Sequence, residues 1–342
     1  FLEYFINDDT EEKVLSLFNN LGIIPKIKNG YYYPFSNQAS TIKSVLLDEV
    51  KRLNIIIENE FLVDNVELLN DKFIVVGNNK KVFVDKLILA TGSYAAPKTG
   101  SDGMGIKFLK QFGHTIIKPL PALVQLISEG NYLKEWNGIR TDVEVSLSEN
   151  GKFIKSQLGE IQLTNYGISG ICVFNLSNQV ARGLDNGYDE IISINFLPFL
   201  KDFTDAKKWF VERTLVTNKN ISDLLNSILN DKLAKVILKE SKVNINKKFN
   251  ELSDVEQEII INCCIKFKVN IKGTKTFDEA QVASGGVLLS EINLETMESK
   301  LIKNFYITGE LLDITGECGG YNLGIAWRTG YLAGISAGDN ND

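Results

Sequence analysis

The chain has 342 residues, with 37 Lys and Arg against 43 Asp and Glu for a net charge of −6, and 44% of its residues are hydrophobic. That balance excludes a chain disordered over most of its length, a collagen-like repeat and a small disulfide-stapled scaffold. No apolar run reaches the roughly 18–20 residues of a membrane span, and a pI near 5.2 argues against a protein built to coat nucleic acid, while leaving room for a local basic patch.

In chain order, residues 11–21 carry apolar positions at helical spacing and stop at Gly22, which predicts a helix with a glycine end. Tyr31–Ser36 reads as extended chain. A second helix is predicted over Ala39–Leu53, with Val45, Leu46 and Val50 on one face. Short β-branched runs follow at Asn54–Glu58, Phe61–Leu69, Lys72–Val76 and Val82–Val84, with Asn78-Asn79 suited to a hairpin turn between the last two. Leu87–Ala90 is a buried-type strand that runs into Thr91-Gly92, so a β-meander feeds back into a parallel sheet. Residues 102–112 read as a helix ending at Gly113, and Pro119 and Pro121 mark a crossing into something different. Strands are predicted at Asp142–Leu147, Lys152–Gln157, Glu160–Leu163 and Ile191–Phe196. From about 201 to 262 the chain turns helical, with Leu224, Leu225, Ile228, Leu229, Leu233, Val236 and Ile237 at steps of three and four. Strands return at Phe267–Lys272 and Val282–Leu289, and the chain closes with strand Phe305–Thr308, a loop and a helix of small residues. The middle therefore behaves as an insertion that splits an α/β domain.

Chemistry-bearing residues are few. Cys172, Cys263, Cys264 and Cys318 show no metal-ligand spacing and read as buried reduced thiols of a cytoplasmic protein. The single histidine, His114, follows Gly113, where an imidazole can meet the free carbonyls of a helix end. A hydrolytic triad and a metal centre are therefore not expected, and redox or group-transfer power must come from a cofactor. Two glycine clusters mark where one could lie. Leu89-Ala-Thr-Gly-Ser93 ends a strand in small residues, which permits close approach. Ile307 to Gly324 places glycines ahead of a helix start whose free N–H groups favour an electron-rich atom, with Asp313 set to accept hydroxyl hydrogen bonds from a polyol.

Five motifs in this order resemble a bacterial flavoprotein family, the BaiN-like or YhiN-like FAD-dependent oxidoreductases, which include aminoacetone oxidases. They are Leu89–Gly105, Gly113–Ile116 with Pro121–Val124, Leu163–Gly170, Ala280–Val287 with Thr296–Ser299, and Gly309–Asp313 with Gly319–Asn322. The resemblance implies an α/β fold with a two-dinucleotide-type FAD domain in residues 1–118 and 298–342. It is interrupted by a β-barrel-like domain in 119–200 and 265–297, which itself carries a helical subdomain in 201–264. By resemblance, Thr91 and Gly92 lie against the dinucleotide and Val63 meets the adenine. Gly309, Glu310 and Asp313 line the ribityl and pyrophosphate part, and Gly319, Gly320, Tyr321 and Asn322 approach the isoalloxazine.

Three departures stand beside this. No G-x-G-x-x-G turn is present, and the chain opens at Phe1 inside an apolar segment, so it reads as lacking the N-terminal strand–turn–helix of the family. Tyr31 follows Gly30 where many relatives carry Arg. Asn165 stands where many carry His, so a histidine acid or base does not transfer to that place.

The expected function is flavin-dependent hydride transfer, with NAD(P)H as the donor the resemblance allows. Asn165, Tyr166 and Tyr321 are candidates to donate a hydrogen bond to a small-molecule substrate held between the domains. By resemblance, that substrate is an activated C=C bond, a small amine or a uracil ring in ribosomal RNA. For RNA, the partner surface would be residues 201–248, with 11 Lys and Arg against 6 Asp and Glu. The alternative is a binding module that keeps the flavoprotein shell without the cofactor.

Overall fold

The structure, a computed structural model, describes residues 8–338. The chain divides into two compact units, Phe1–Pro119 with Val282–Asp342, and Leu120–Gln281.

The first unit begins with helix α1 (Asp8–Asn20) and the hairpin of β1 (Pro25–Lys28) and β2 (Tyr31–Pro34). The two turn residues, Asn29 and Gly30, both take positive φ, 54° and 81°, as a two-residue hairpin turn of this type requires. Helix α2 (Ala39–Arg52) follows. The strand expected over Asn54–Glu58 does not form. The N–H groups of Leu53, Asn54 and Ile55 turn back to Glu49, Lys51 and Val50 carbonyls at the end of α2, so the donors a strand would offer a neighbour are already used.

A three-stranded antiparallel meander follows, β3 (Val63–Leu69), β4 (Lys72–Gly77) and β5 (Lys80–Val84). Then come β6 (Leu87–Leu89) and α3 (Met104–Gln111). His114, beyond α3, does not cap carbonyls as the sequence suggested. Its buried ring bridges two side chains, Glu291 Oε2 at 2.9 Å from Nδ1 and Ser299 Oγ at 3.0 Å from Nε2. Burial pushes the Glu291 carboxyl up, but the hydrogen bonds from Thr115 and His114 outweigh it and hold the group below its ordinary value.

The chain leaves the first unit within β7 (Ile116–Ala122). In the second unit, β8 (Leu126–Ser128), short helix α4 (Tyr132–Trp136), β9 (Arg140–Glu149), β10 (Lys152–Leu163) and β11 (Gly167–Ser169) come first. Helix α5 (Ile171–Asp185), absent from the sequence reading, then buries Cys172, Val173, Leu176 and Val180 along one face. Strand β12 (Glu190–Asn195) precedes four helices, α6 (Phe203–Thr217), α7 (Ile221–Asn226), α8 (Asp231–Ser241) and α9 (Asp254–Ile265). Asp202, Asn220, Asn230 and Ser253 cap their starts by accepting backbone N–H bonds.

Strand β13 (Phe267–Thr274) completes a closed six-stranded barrel in the order β10-β11-β8-β13-β12-β9. Closure leaves no free edge. The core of this unit runs from the barrel interior (Val145, Leu147, Ile161, Ile192, Val269) into the helices (Phe210, Leu225, Ile237, Phe249). Its two ends lie side by side, for Lys275 N–H donates to Gln125 O at 2.9 Å and Gln281 N–H to Leu123 O at 3.4 Å. A carboxylate is among the polar side chains buried in this unit. Glu190 is 2% exposed, pairs in register with Glu149, and neither of its carboxyl oxygens has a hydrogen-bond partner. Burial, then the Glu149 charge, pushes its pKa up to about 7.

The chain is back in the first unit from Val282, earlier than the boundary expected at 298. The reason is a set of ties within that unit. Strand β14 (Val282–Val287) accepts the Asp313 N–H at Val287 O, and Leu288 N–H donates to Thr115 O. Strand β15 (Phe305–Ile307) pairs parallel with β6, Phe305 opposite Leu87 and Ile307 opposite Leu89, and helix α10 (Tyr321–Gly338) closes the described chain. Phe73, Ile106, Leu109, Phe305, Ile307 and Leu311 form the core.

Candidate functional site

Because β6 and β15 are parallel and in register, the turns that follow them leave the same edge of the sheet, and in open α/β sheets ligands gather at that carboxyl-end edge. Thr308 N–H donates to Leu89 O at 3.1 Å and holds the two strand ends together. From β6 the chain continues through Thr91 and Gly92, and from β15 through Gly309, Glu310 and Leu311. A side chain at Gly105, in the first turn of α3, would collide with Thr91 Oγ1 and come within 2.9 Å of Leu311. The two turns and the start of α3 are therefore packed at one place. Thr91 itself is exposed there.

Helix α10 lies along the same edge. Gly309 N–H donates to Thr329 Oγ1 at 2.9 Å, and a Cβ on Gly309 would sit 3.9 Å from Ala326. Ala326 is five residues beyond Tyr321, about 7.5 Å along the helix axis. The Gly309 turn thus packs on α10 at Ala326 and Thr329, about one to two turns in from the helix start. Gly320, with φ of 95°, turns the chain into the helix, and the space where its side chain would be is open. The first N–H groups of the helix carry its positive dipole end there.

Each residue expected here has a definite place. Asn322 grips the preceding loop: its Oδ1 accepts from Gly316 N–H at 2.9 Å and its Nδ2 donates to Gly316 O at 3.0 Å, so the amide shapes the glycine loop. Glu310 Oε1 accepts the Ala283 N–H at 2.6 Å, which ties the turn to β14. Burial pushes this carboxyl up to about 6, against that hydrogen bond. Asp313 is half-buried beside it, its N–H on Val287 O. Val63 opens β3 opposite Gly77 at a bulge, and its side chain packs on the same apolar core as Leu89 and Leu311. Tyr321 is 48% exposed. Burial raises the pKa of the Cys318 thiol in the glycine loop.

Sequence reasoning noted Tyr31 only as a departure. In the structure its ring lies on the glycine loop: a Cβ on Gly319 would come 2.8 Å from Cε1 and Cζ and 2.9 Å from the hydroxyl, and the Tyr321 ring meets it edge-on at 6.2 Å. The missed signal was Asn29-Gly30 between two extended runs, a hairpin that delivers the next residue to a fixed place.

Asn165 and Tyr166 belong to the second unit. They form the turn between β10 and β11, closed by Thr164 N–H and Oγ1 on Gly167 O at 3.0 Å each. Asn165 is exposed, whereas Tyr166 receives Ser128 N–H on its carbonyl and Lys275 Nζ over its ring at 4.5 Å. That ammonium fixes the ring by a cation–π contact. Among the described residues no cluster of three or more His, Cys, Asp or Glu could hold a metal, and no helix is long and apolar enough to cross a membrane.

Comparison with known proteins follows the same lines. The family model described as the HI0933-like protein Rossmann domain matches residues 1–336. A 3-dehydro-bile acid delta(4,6)-reductase of Clostridium scindens is 35% identical over 327 residues, covering 96% of this chain and 80% of that protein. A ribosomal RNA dihydrouridine synthase of Escherichia coli is 26% identical, covering 94% of this chain and 78% of its own. The protein of the same name from Haemophilus influenzae is 27% identical, covering 78% of this chain and 63% of its own.

Proposed function

We propose, because this chain belongs to the HI0933-like family of Rossmann-domain flavoproteins, that it serves as an FAD-dependent oxidoreductase acting on an activated C=C bond of a small molecule. The observation that carries this reading is the convergence of the Thr91-Gly92 turn, the Gly309–Leu311 turn and helix α10 on one sheet edge. When bound, FAD would supply the ring that takes up and gives up a hydride. Thr91, Gly92, Gly309 and Asp313 would hold its extended part, and the N–H groups at Gly320, Tyr321 and Asn322 would meet the ring. These residues fit such a group: small or glycine positions stand at the sheet edge and ahead of α10, and open space lies beside Gly320.

The chain's own contribution is placement. Asn322 holds the glycine loop in shape, and Glu310 anchors the turn to β14. The similarity to a bile-acid reductase favours a conjugated enone as substrate over a small amine. NAD(P)H is the proposed electron donor.

A second reading is reduction of a uracil ring in ribosomal RNA. It is favoured by the exposed Lys232, Lys235 and Lys242 on and beside α8, in a stretch with 11 basic and 6 acidic residues, and by the names of two relatives. The test is to purify the full-length protein, record its visible spectrum, and follow NAD(P)H-driven reduction of a 3-oxo-4-ene steroid, aminoacetone-dependent flavin reduction, and uridine reduction in ribosomal RNA. A flavin spectrum with turnover of the steroid is expected. A colourless protein that takes up no FAD rejects the reading in all its forms.

A further inference from the structure

We propose that Tyr31 is a positioning residue of the redox site, forming with Tyr321 an aromatic wall that fixes the flat ring of the cofactor at the glycine loop and keeps water from it. This rests on the flavin reading above. It stands on three observations within the first unit. The tip of the β1–β2 hairpin is rigid in direction, because Asn29 and Gly30 hold a tight turn and Lys28 pairs with Tyr31 across it. The Tyr31 ring lies 2.8–2.9 Å from where a Gly319 Cβ would be, so a side chain there would displace the ring, and the φ of 134° itself favours glycine. The Tyr321 ring stands at 89° to it, an edge-to-face arrangement favoured by the ring quadrupoles.

Most other apolar side chains of the hairpin face solvent. Ile27 is 69% exposed, Tyr32 48%, Tyr33 44% and Phe35 69%. Tyr31 is thus the inward-facing contact at the tip, and it lands on the loop that leads into α10. A tyrosine serves this place well: two side-chain torsions leave little entropy to lose on docking, and the ring excludes water over a large area. The chemistry it suits is a planar aromatic ligand, held by its face or edge rather than by charge.

Three variants of the full-length protein test this: Tyr31→Phe, Tyr31→Ala and Gly319→Ala, each checked for cooperative thermal unfolding. FAD retention, the flavin absorption band, quenching of flavin fluorescence by iodide, and KM and kcat for a 3-oxo-4-ene steroid are then measured. Tyr31→Phe, which keeps the ring, is expected to retain flavin and band position as the parent does. Tyr31→Ala is expected to lose several-fold in FAD affinity, to be quenched by iodide at least about threefold more steeply, and to shift KM more than kcat. Gly319→Ala, by pushing the ring away, is expected to resemble Tyr31→Ala. If the parent holds flavin, and folded Tyr31→Ala matches it in spectrum, quenching and KM, this inference is overturned while the flavoprotein reading stands. If the parent holds no flavin, the reading beneath it is what fails.

Discussion

Glu190 stands out among single residues because nothing in its surroundings favours its charge. Its carboxyl is buried, its oxygens have no partner, and its in-register neighbour is another carboxylate. With a folded pKa near 7 against an ordinary 4.5, the native state holds a proton that the unfolded chain gives up. Its favourable contribution is complete below about pH 4.5 and is lost as pH rises from there through about 7. Glu190→Gln removes the titration, so the variant is expected to lose less stability than the parent between pH 5 and pH 8, by on the order of 1–3 kcal/mol, read from urea unfolding at each pH. Equal pH profiles would remove Glu190 from this role. At the glycine loop, Asn322→Ala breaks both hydrogen bonds to Gly316. It is expected to cost about 1–2 kcal/mol and to lower FAD retention as the loop loosens. Asp313→Ala is expected to loosen FAD. Flavin content after gel filtration reads the cofactor loss in both variants.

Among elements, legibility followed periodicity. Helix α2, the meander strands and the helices of the insertion stood out because their apolar residues repeat at steps of two, three or four. Helix α5 has the same signal in Cys172, Val173, Leu176 and Val180 but sits among strands, and the surrounding β pattern obscured it. Asn54–Glu58 failed in the opposite sense: three isoleucines in a row carry β propensity, yet strand formation needs a neighbour, and the end of α2 had taken the N–H groups. For the candidate site, glycines and Asp313 were visible as composition. Which polar side chains are engaged within the fold was not, because the partners of Glu310 and His114 come from residues 27 and 177 positions away in sequence. Charge on the insertion's helices is a separate matter. If RNA is the substrate, reversing Lys232 and Lys235 to Glu should weaken RNA binding and reduce its salt slope by about two units. Binding unchanged at low salt would exclude that surface.

At the scale of the whole molecule, the second unit has its own core, a sheet with no open edge, and ends joined by Lys275–Gln125 and Gln281–Leu123 backbone bonds. These are properties of a segment that folds by itself. Residues 120–281 expressed alone are therefore expected to melt in one cooperative transition with the far-ultraviolet signature of mixed helix and strand. A broad, gradual melt would show that the remainder of the chain is needed. The neighbouring ends also decide how the protein answers mechanical load. Tension applied between the two termini runs across that pair of backbone bonds and bypasses everything looped beyond them. The barrel and its helices would stay slack until the bonds part, then extend as one late, separate event.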